Sequence, residues 1–153
     1  MKIIKDIRLY KSDIENISGN STPSDLGNRS LNLTARRITM RLREQSFSLG
    51  DFDHLYLNFT TCMPAGAIIQ SKRSVDQYHP WYRYYDIGVS REEFARLGAP
   101  DSVPGIIALI KQTLQLHFAS EEDEKQVVEA AVEEAVSRGS EMHNRFKEKN
   151  AAK

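Results

Sequence analysis

A chain of 153 residues with 40% hydrophobic and 27% charged side chains matches one soluble globular domain, which excludes a disordered chain and makes disulfides or a structural metal unnecessary for a core. Lys plus Arg and Asp plus Glu number 21 each, so the formal net charge is zero and the basic footprint of a dedicated nucleic-acid binder is missing. The single cysteine, Cys62, excludes an internal disulfide and any multi-cysteine zinc site.

The opening residues Met1 to Asp6 lack the apolar core of a secretory signal and no run is long enough to span a membrane, so the expected location is the cytoplasm. Charge is laid down unevenly: residues 1–50 hold nine Lys/Arg against five Asp/Glu, whereas residues 101–153 hold seven against ten.

Ile3, Ile4, Ile7 and Leu9 predict an edge strand over residues 2–9, with a helical turn fitting nearly as well. Residues 18–30 are rich in Ser, Gly, Asn, Thr, Pro and Asp and predict a flexible loop. Leu31, Ala35, Ile38 and Leu42 share a helical face, predicting a helix over 31–45; the rival is a strand, because Ile38, Met40 and Leu42 also alternate. Arg29, Arg36, Arg37, Arg41 and Arg43 cluster here and read as a solvated face paired with acids, without the interleaved aromatics of an RNA platform.

Three turn-bounded runs follow, at 52–60, 66–70 and 81–89, and predict neighbouring strands of a small antiparallel sheet. In the first, Leu55, Leu57 and Phe59 face a core and His54, Tyr56, Asn58 and Thr60 face away. In the last, Trp81, Tyr85, Ile87 and Val89 share one parity, interrupted by Arg83, and Tyr82, Tyr84 and Asp86 share the other. Trp81 and Tyr85 are therefore expected in the core.

Ser90 with Glu93 forms a capping box for a short helix over 91–97. Pro104 suits the first turn of a helix over 104–118, whose Ile106, Ile107, Ile110 and Leu114 should cover the sheet. Ser120 is the expected cap of a last helix over 121–148, with acids in its first turn, Arg145, Lys147 and Lys149 at its end, and a stripe of Val128, Ala131, Val132, Ala135, Met142 and Phe146. Gly139 could kink or stop it, and the C-terminus should fray. The whole is an α+β fold in a single domain.

No residue set carries a recognised chemistry. His54, His79, His117 and His143 lie on different elements without metal-ligand spacing, Cys62 lacks an activating sequence and reads as a buried hydrophobe, and nucleophile-elbow, phosphate-loop and dinucleotide motifs are missing. No catalytic residue, metal or cofactor is therefore expected. The segment Tyr78-His79-Pro80-Trp81-Tyr82-Arg83-Tyr84-Tyr85 is instead unusually aromatic, and Tyr56, Tyr82, Arg83, Tyr84 and Asp86 become the candidate partner-binding residues.

A helix, then His54-Leu55-Tyr56-Leu57-Asn58-Phe59-Thr60, a glycine-containing turn, a second strand, Trp81-Tyr82-Arg83-Tyr84-Tyr85-Asp86-Ile87-Gly88 and a short helix resemble, over residues 31–116, small α+β immunity proteins of bacterial polymorphic-toxin systems. The resemblance implies a cytoplasmic protein that neutralises a cognate toxin by direct binding. The alternatives are a small hydrolase or nuclease built from His54, His79, Arg83 and nearby tyrosines, or a regulatory interaction module.

Overall fold

Leu55, Leu57 and Phe59 alternate along β5 (His54–Thr60) and are wholly buried, which makes this strand the centre of the molecule. The structure is a computed structural model that describes residues 2–75 and 77–151, with side chains as far as residue 137. In chain order the other elements are β1 (Lys2–Ile3), β2 (Asp6–Ser12), β3 (Ser24–Asp25), α1 (Arg29–Glu44), β4 (Ser48–Gly50), β6 (Ile68–Gln70), β7 (Tyr82–Gly88), α2 (Arg91–Ala95), α3 (Val103–Phe118) and α4 (Glu122–Ala151). A 3₁₀ turn, Pro100–Ser102, leads into α3.

The fold is α+β, as the hydrophobic periodicities require, but the sheet is mixed and not antiparallel. Its order is β3-β2-β5-β7-β6; β2, β5 and β7 run parallel, and only the short edges β3 and β6 are antiparallel. Parallel neighbours need a crossover of about a dozen residues or more. Both connections supply one: α1 and β4 join β2 to β5, and residues 61–81 join β5 to β7 by way of β6. The opening segment is likewise not an edge, because β2 lies between β3 and β5 while β1 pairs with β4 in a separate two-stranded ladder. The stretch 18–30 contains β3 and is held by Arg73, whose guanidinium donates to the carbonyls of Asn20 and Ser21 at 3.1 Å each.

α1 starts at Arg29 because Asn28 caps it, accepting from the Leu31 N–H at 3.2 Å while its amide donates to the Leu97 carbonyl at 3.1 Å. Leu31, Ala35, Ile38 and Leu42 are buried and Met40 is 56% exposed, which decides for the helical period over the alternating one. The capping box at Ser90 and Glu93 is present and α3 carries Pro104 in its first turn. Ser120 does not cap α4. The Glu124 carboxylate instead accepts from the Glu121 N–H at 3.1 Å and from Ser120 Oγ at 3.3 Å.

α4 passes Gly139 and lays Val128, Ala131, Val132 and Ala135 against α1 and α3, tied by Arg41–Glu134 and Lys111–Glu129 ion pairs of 3.0 Å. The side chains of Met142, Arg145, Phe146, Lys147 and Lys149, and the expected fraying, lie outside the described residues. All these stripes join one core with Leu9, Leu57, Tyr85 and Ile87.

Asp53 locks the entry to β5. Its carbonyl accepts from Lys5 N–H at 2.7 Å, and its buried carboxylate meets His54 Nδ1 at 2.6 Å, Lys5 Nζ at 3.6 Å and Lys2 Nζ at 3.8 Å. Burial pushes this carboxyl up, but the His54 hydrogen bond and the charges of His54, Lys2 and Lys5 outweigh it and hold the pKa below the ordinary 3.8. A depressed folded-state pKa contributes stability that is present above the unfolded value and lost as pH falls through the folded one. Asp53→Asn should therefore cost about 1 to 3 kcal/mol in urea unfolding at pH 7, and that deficit should shrink below about pH 4. A deficit unchanged by acid would assign the loss to shape and not to charge.

Candidate functional site

Residue-for-residue pairing of three parallel strands puts every second side chain of β2, β5 and β7 on one surface. On the core side stand Leu9, Leu57 and Tyr85; on the other stand Arg8 and Tyr10 from β2, Tyr56 from β5, and Tyr82 and Tyr84 from β7. The described helices gather on the core side, so these four tyrosines remain half-buried and Arg8 exposed.

The rings brace one another. Tyr56 stacks on Tyr82 at 4.8 Å and 19°, and meets Tyr10 at 5.3 Å and Tyr84 at 5.4 Å edge-on. Tyr10 and Tyr84 close the group at 5.7 Å, and the Arg8 guanidinium lies 5.8 Å from the centre of the Tyr56 ring while its Nε donates to Asp6 at 2.8 Å. Burial pushes the Tyr84 phenol up to about 12, helped by Tyr10 and Tyr82 and opposed by Arg73; burial also raises Tyr56, against the pull of Arg8. Both phenols are neutral near pH 7 and can donate hydrogen bonds. The surface thus offers rigid apolar rings, hydroxyl donors and a guanidinium.

Tyr56, Tyr82 and Tyr84 stand where the strand parity places them. Arg83 does not join them: it faces the helix side, 5.4 Å from the Phe52 ring centre, donating to the carbonyls of Pro80 and Tyr82 at 2.8 Å each. Asp86 shares the tyrosine parity but is buried at the far end, where Asn58 and Asn16 donate to its Oδ1 at 3.0 and 3.1 Å. Trp81 is 36% exposed and not core, because β7 begins after it: its carbonyl accepts from Asp53 and His54 and its ring packs 5.0 Å from His79. Tyr78, in the same segment, is 75% exposed.

Arg8 and Tyr10 are the members that sequence reasoning missed. The signal was there, since Asp6, Arg8, Tyr10 and Ser12 alternate with Ile7 and Leu9, but only pairing of β2 beside β5 brings them to Tyr56.

The remaining chemistry-bearing residues are dispersed. His54 is engaged with Asp53, His79 with Trp81, and His117 Nε2 with the Ile68 carbonyl at 3.0 Å, its ring on Tyr85 and Phe118. The side chain of His143 lies outside the described residues. Among the described residues no group of three His, Cys, Asp or Glu could hold a metal ion, and no helix is long and apolar enough to cross a membrane. Cys62, expected buried, is exposed. No protein-family model, curated protein or solved structure matches this chain.

Proposed function

We propose that the protein is a non-catalytic binding protein that docks the tyrosine face of its sheet on a protein partner, and that the partner is a bacterial toxin domain neutralised by occlusion. The observation that supports this reading is the open side of the three parallel strands. Parallel sheets are ordinarily covered on both faces, and here one face is left with four half-exposed, mutually packed tyrosines and an arginine. Rings already held by one another lose little freedom on docking, and Tyr and Arg are the side chains that dominate interface energetics. The hydrolase or nuclease alternative needs Arg83 beside His54 and His79, and Arg83 faces the opposite side of the strand.

The test is co-expression with a toxin domain encoded beside this chain, scoring growth and direct binding for the unaltered protein and for Tyr56→Ala, Tyr82→Ala and Tyr84→Ala. Each substitution should weaken binding by about 2 kcal/mol, roughly thirtyfold in Kd, whereas Arg8→Ala should act more on the association rate. Protection without complex formation would sink inhibition by binding. Undiminished affinity in all three tyrosine variants would sink this face as the interface.

A further inference from the structure

On the other side of the sheet from the tyrosines, α1 carries an imbalance of charge that its own fold does not settle. The helix holds five arginines, Arg29, Arg36, Arg37, Arg41 and Arg43, against one acid, Glu44, and its first turn contains Arg29 and no carboxylate. A cation in the first turn opposes the helix macrodipole. Pairing with acids, expected of the whole cluster, is made by Arg41, which meets Glu44 at 2.9 Å and Glu134 at 3.0 Å. Among the described residues the guanidinium groups of Arg29, Arg36 and Arg43 meet no acid.

These three stand in register. Arg29, Leu33, Arg36, Met40 and Arg43 recur at four, three, four and three residues and all are exposed, Leu33 by 41% and Met40 by 56%. Residues three and four apart are neighbours on a helix surface, so the five form a continuous ridge about 21 Å long in which cationic and apolar side chains alternate. The ridge lies opposite the buried stripe of Leu31, Ala35, Ile38 and Leu42 and is turned away from the sheet. A mean spacing of about 3.5 residues is the pattern by which one helix meets another along a seam.

We propose that this ridge of α1 docks an acidic amphipathic helix of a partner protein, one whose own seam alternates an apolar residue with Glu or Asp. Charge complementarity carries the choice: Arg29, Arg36 and Arg43 donate to the partner's carboxylates, and Leu33 and Met40 cover its apolar positions. Nucleic acid fits less well, because phosphates gain nothing from Leu33 and Met40 and the chain's net charge of zero lacks the basic footprint. An anionic bilayer takes a broad apolar face, and two apolar side chains between arginines are too narrow for it. One helix laid on another over about 21 Å buries less than a standard interface of about 1,600 Å², so the contact is weak and sensitive to salt.

The experiment titrates the full chain, by NMR and calorimetry, with a synthetic three-heptad helix whose seam alternates Leu and Glu. A scrambled peptide of the same composition, poly-L-glutamate, a DNA duplex and phosphatidylserine vesicles are the rivals. The helix should bind with a Kd of about 50 μM in dilute salt, about tenfold more weakly in 0.5 M salt, with amide shifts centred on residues 29–44. Arg36→Gln should weaken binding about threefold, Leu33→Ser with Met40→Ser about fivefold, and Arg29→Gln, Arg36→Gln and Arg43→Gln together beyond detection. All five positions are exposed, so the variants should fold, which circular dichroism checks. Scrambled peptide or polyglutamate binding as tightly as the helix overturns the proposal, as does tighter binding of DNA or vesicles, no binding of the helix at about 1 mM, or binding undiminished in the triple arginine variant. Tyr82→Ala should bind the helix normally, so this result stands apart from the reading of the tyrosine face.

Discussion

Leu57→Ala should lower the stability of the folded chain by about 2 to 5 kcal/mol, with a fall in melting temperature of about 10 °C. Leu57 is wholly buried at the middle of β5, paired with Leu9 on one side and Tyr85 on the other. Truncation removes apolar surface from the core and leaves a cavity that flanking parallel strands cannot close, since their register is held by backbone bonds on both sides of β5. Urea unfolding checks it through the midpoint at unchanged slope. Stability within 1 kcal/mol of the unaltered protein, on the order-of-magnitude scale for core truncation, would show that β5 is not the centre of the core.

Gly88→Ala should cost about 3 kcal/mol, a large effect for one added methyl group. A Cβ at residue 88 would lie 2.0 Å from the Pro64 carbonyl oxygen and 2.8 Å from its carbon, both backbone atoms. The turn cannot swing away freely, because Gly66 N–H donates to the Gly88 carbonyl at 2.9 Å and Gly88 N–H donates to the Ala67 carbonyl at 2.8 Å. Glycine here serves close backbone approach and not an unusual backbone angle. Thermal unfolding checks the magnitude; amide hydrogen exchange should show the loss centred on residues 63–67 and the end of β7. A neutral substitution would mean that this turn is not held against the strand.

Side-chain periodicity carried most of the fold. The alternation of Leu55, Leu57 and Phe59, the spacing of Leu31, Ala35, Ile38 and Leu42, and the Ser90 and Glu93 capping box each state a local preference that the folded chain keeps. Alternation also separated Tyr56, Tyr82 and Tyr84 from the core before any neighbour was known. Where a strand ends is a weaker signal. Trp81 was assigned to the core by parity and went astray because β7 begins at Tyr82; Arg83, singled out by its charge, keeps its core-side parity and there meets Phe52 and two carbonyls.

By itself, then, the sequence determined which residues alternate, which form helices and which face of each element is apolar, because these depend on the geometry of one segment and its contact with water. Only the tertiary structure decided which strands are neighbours and in which direction. Parallel pairing of β2, β5 and β7 depends on crossovers through α1 and through residues 61–81, and the energy of that pairing lies in contacts between distant segments. That choice brings Arg8 and Tyr10 to Tyr56, leaves the tyrosine face without a described helix over it, and gathers Asn16 and Asn58 as donors around the buried Asp86 carboxylate. Backbone pairing between remote residues leaves no local mark in a side-chain pattern, which is why the surfaces that this protein presents became visible only in the assembled sheet.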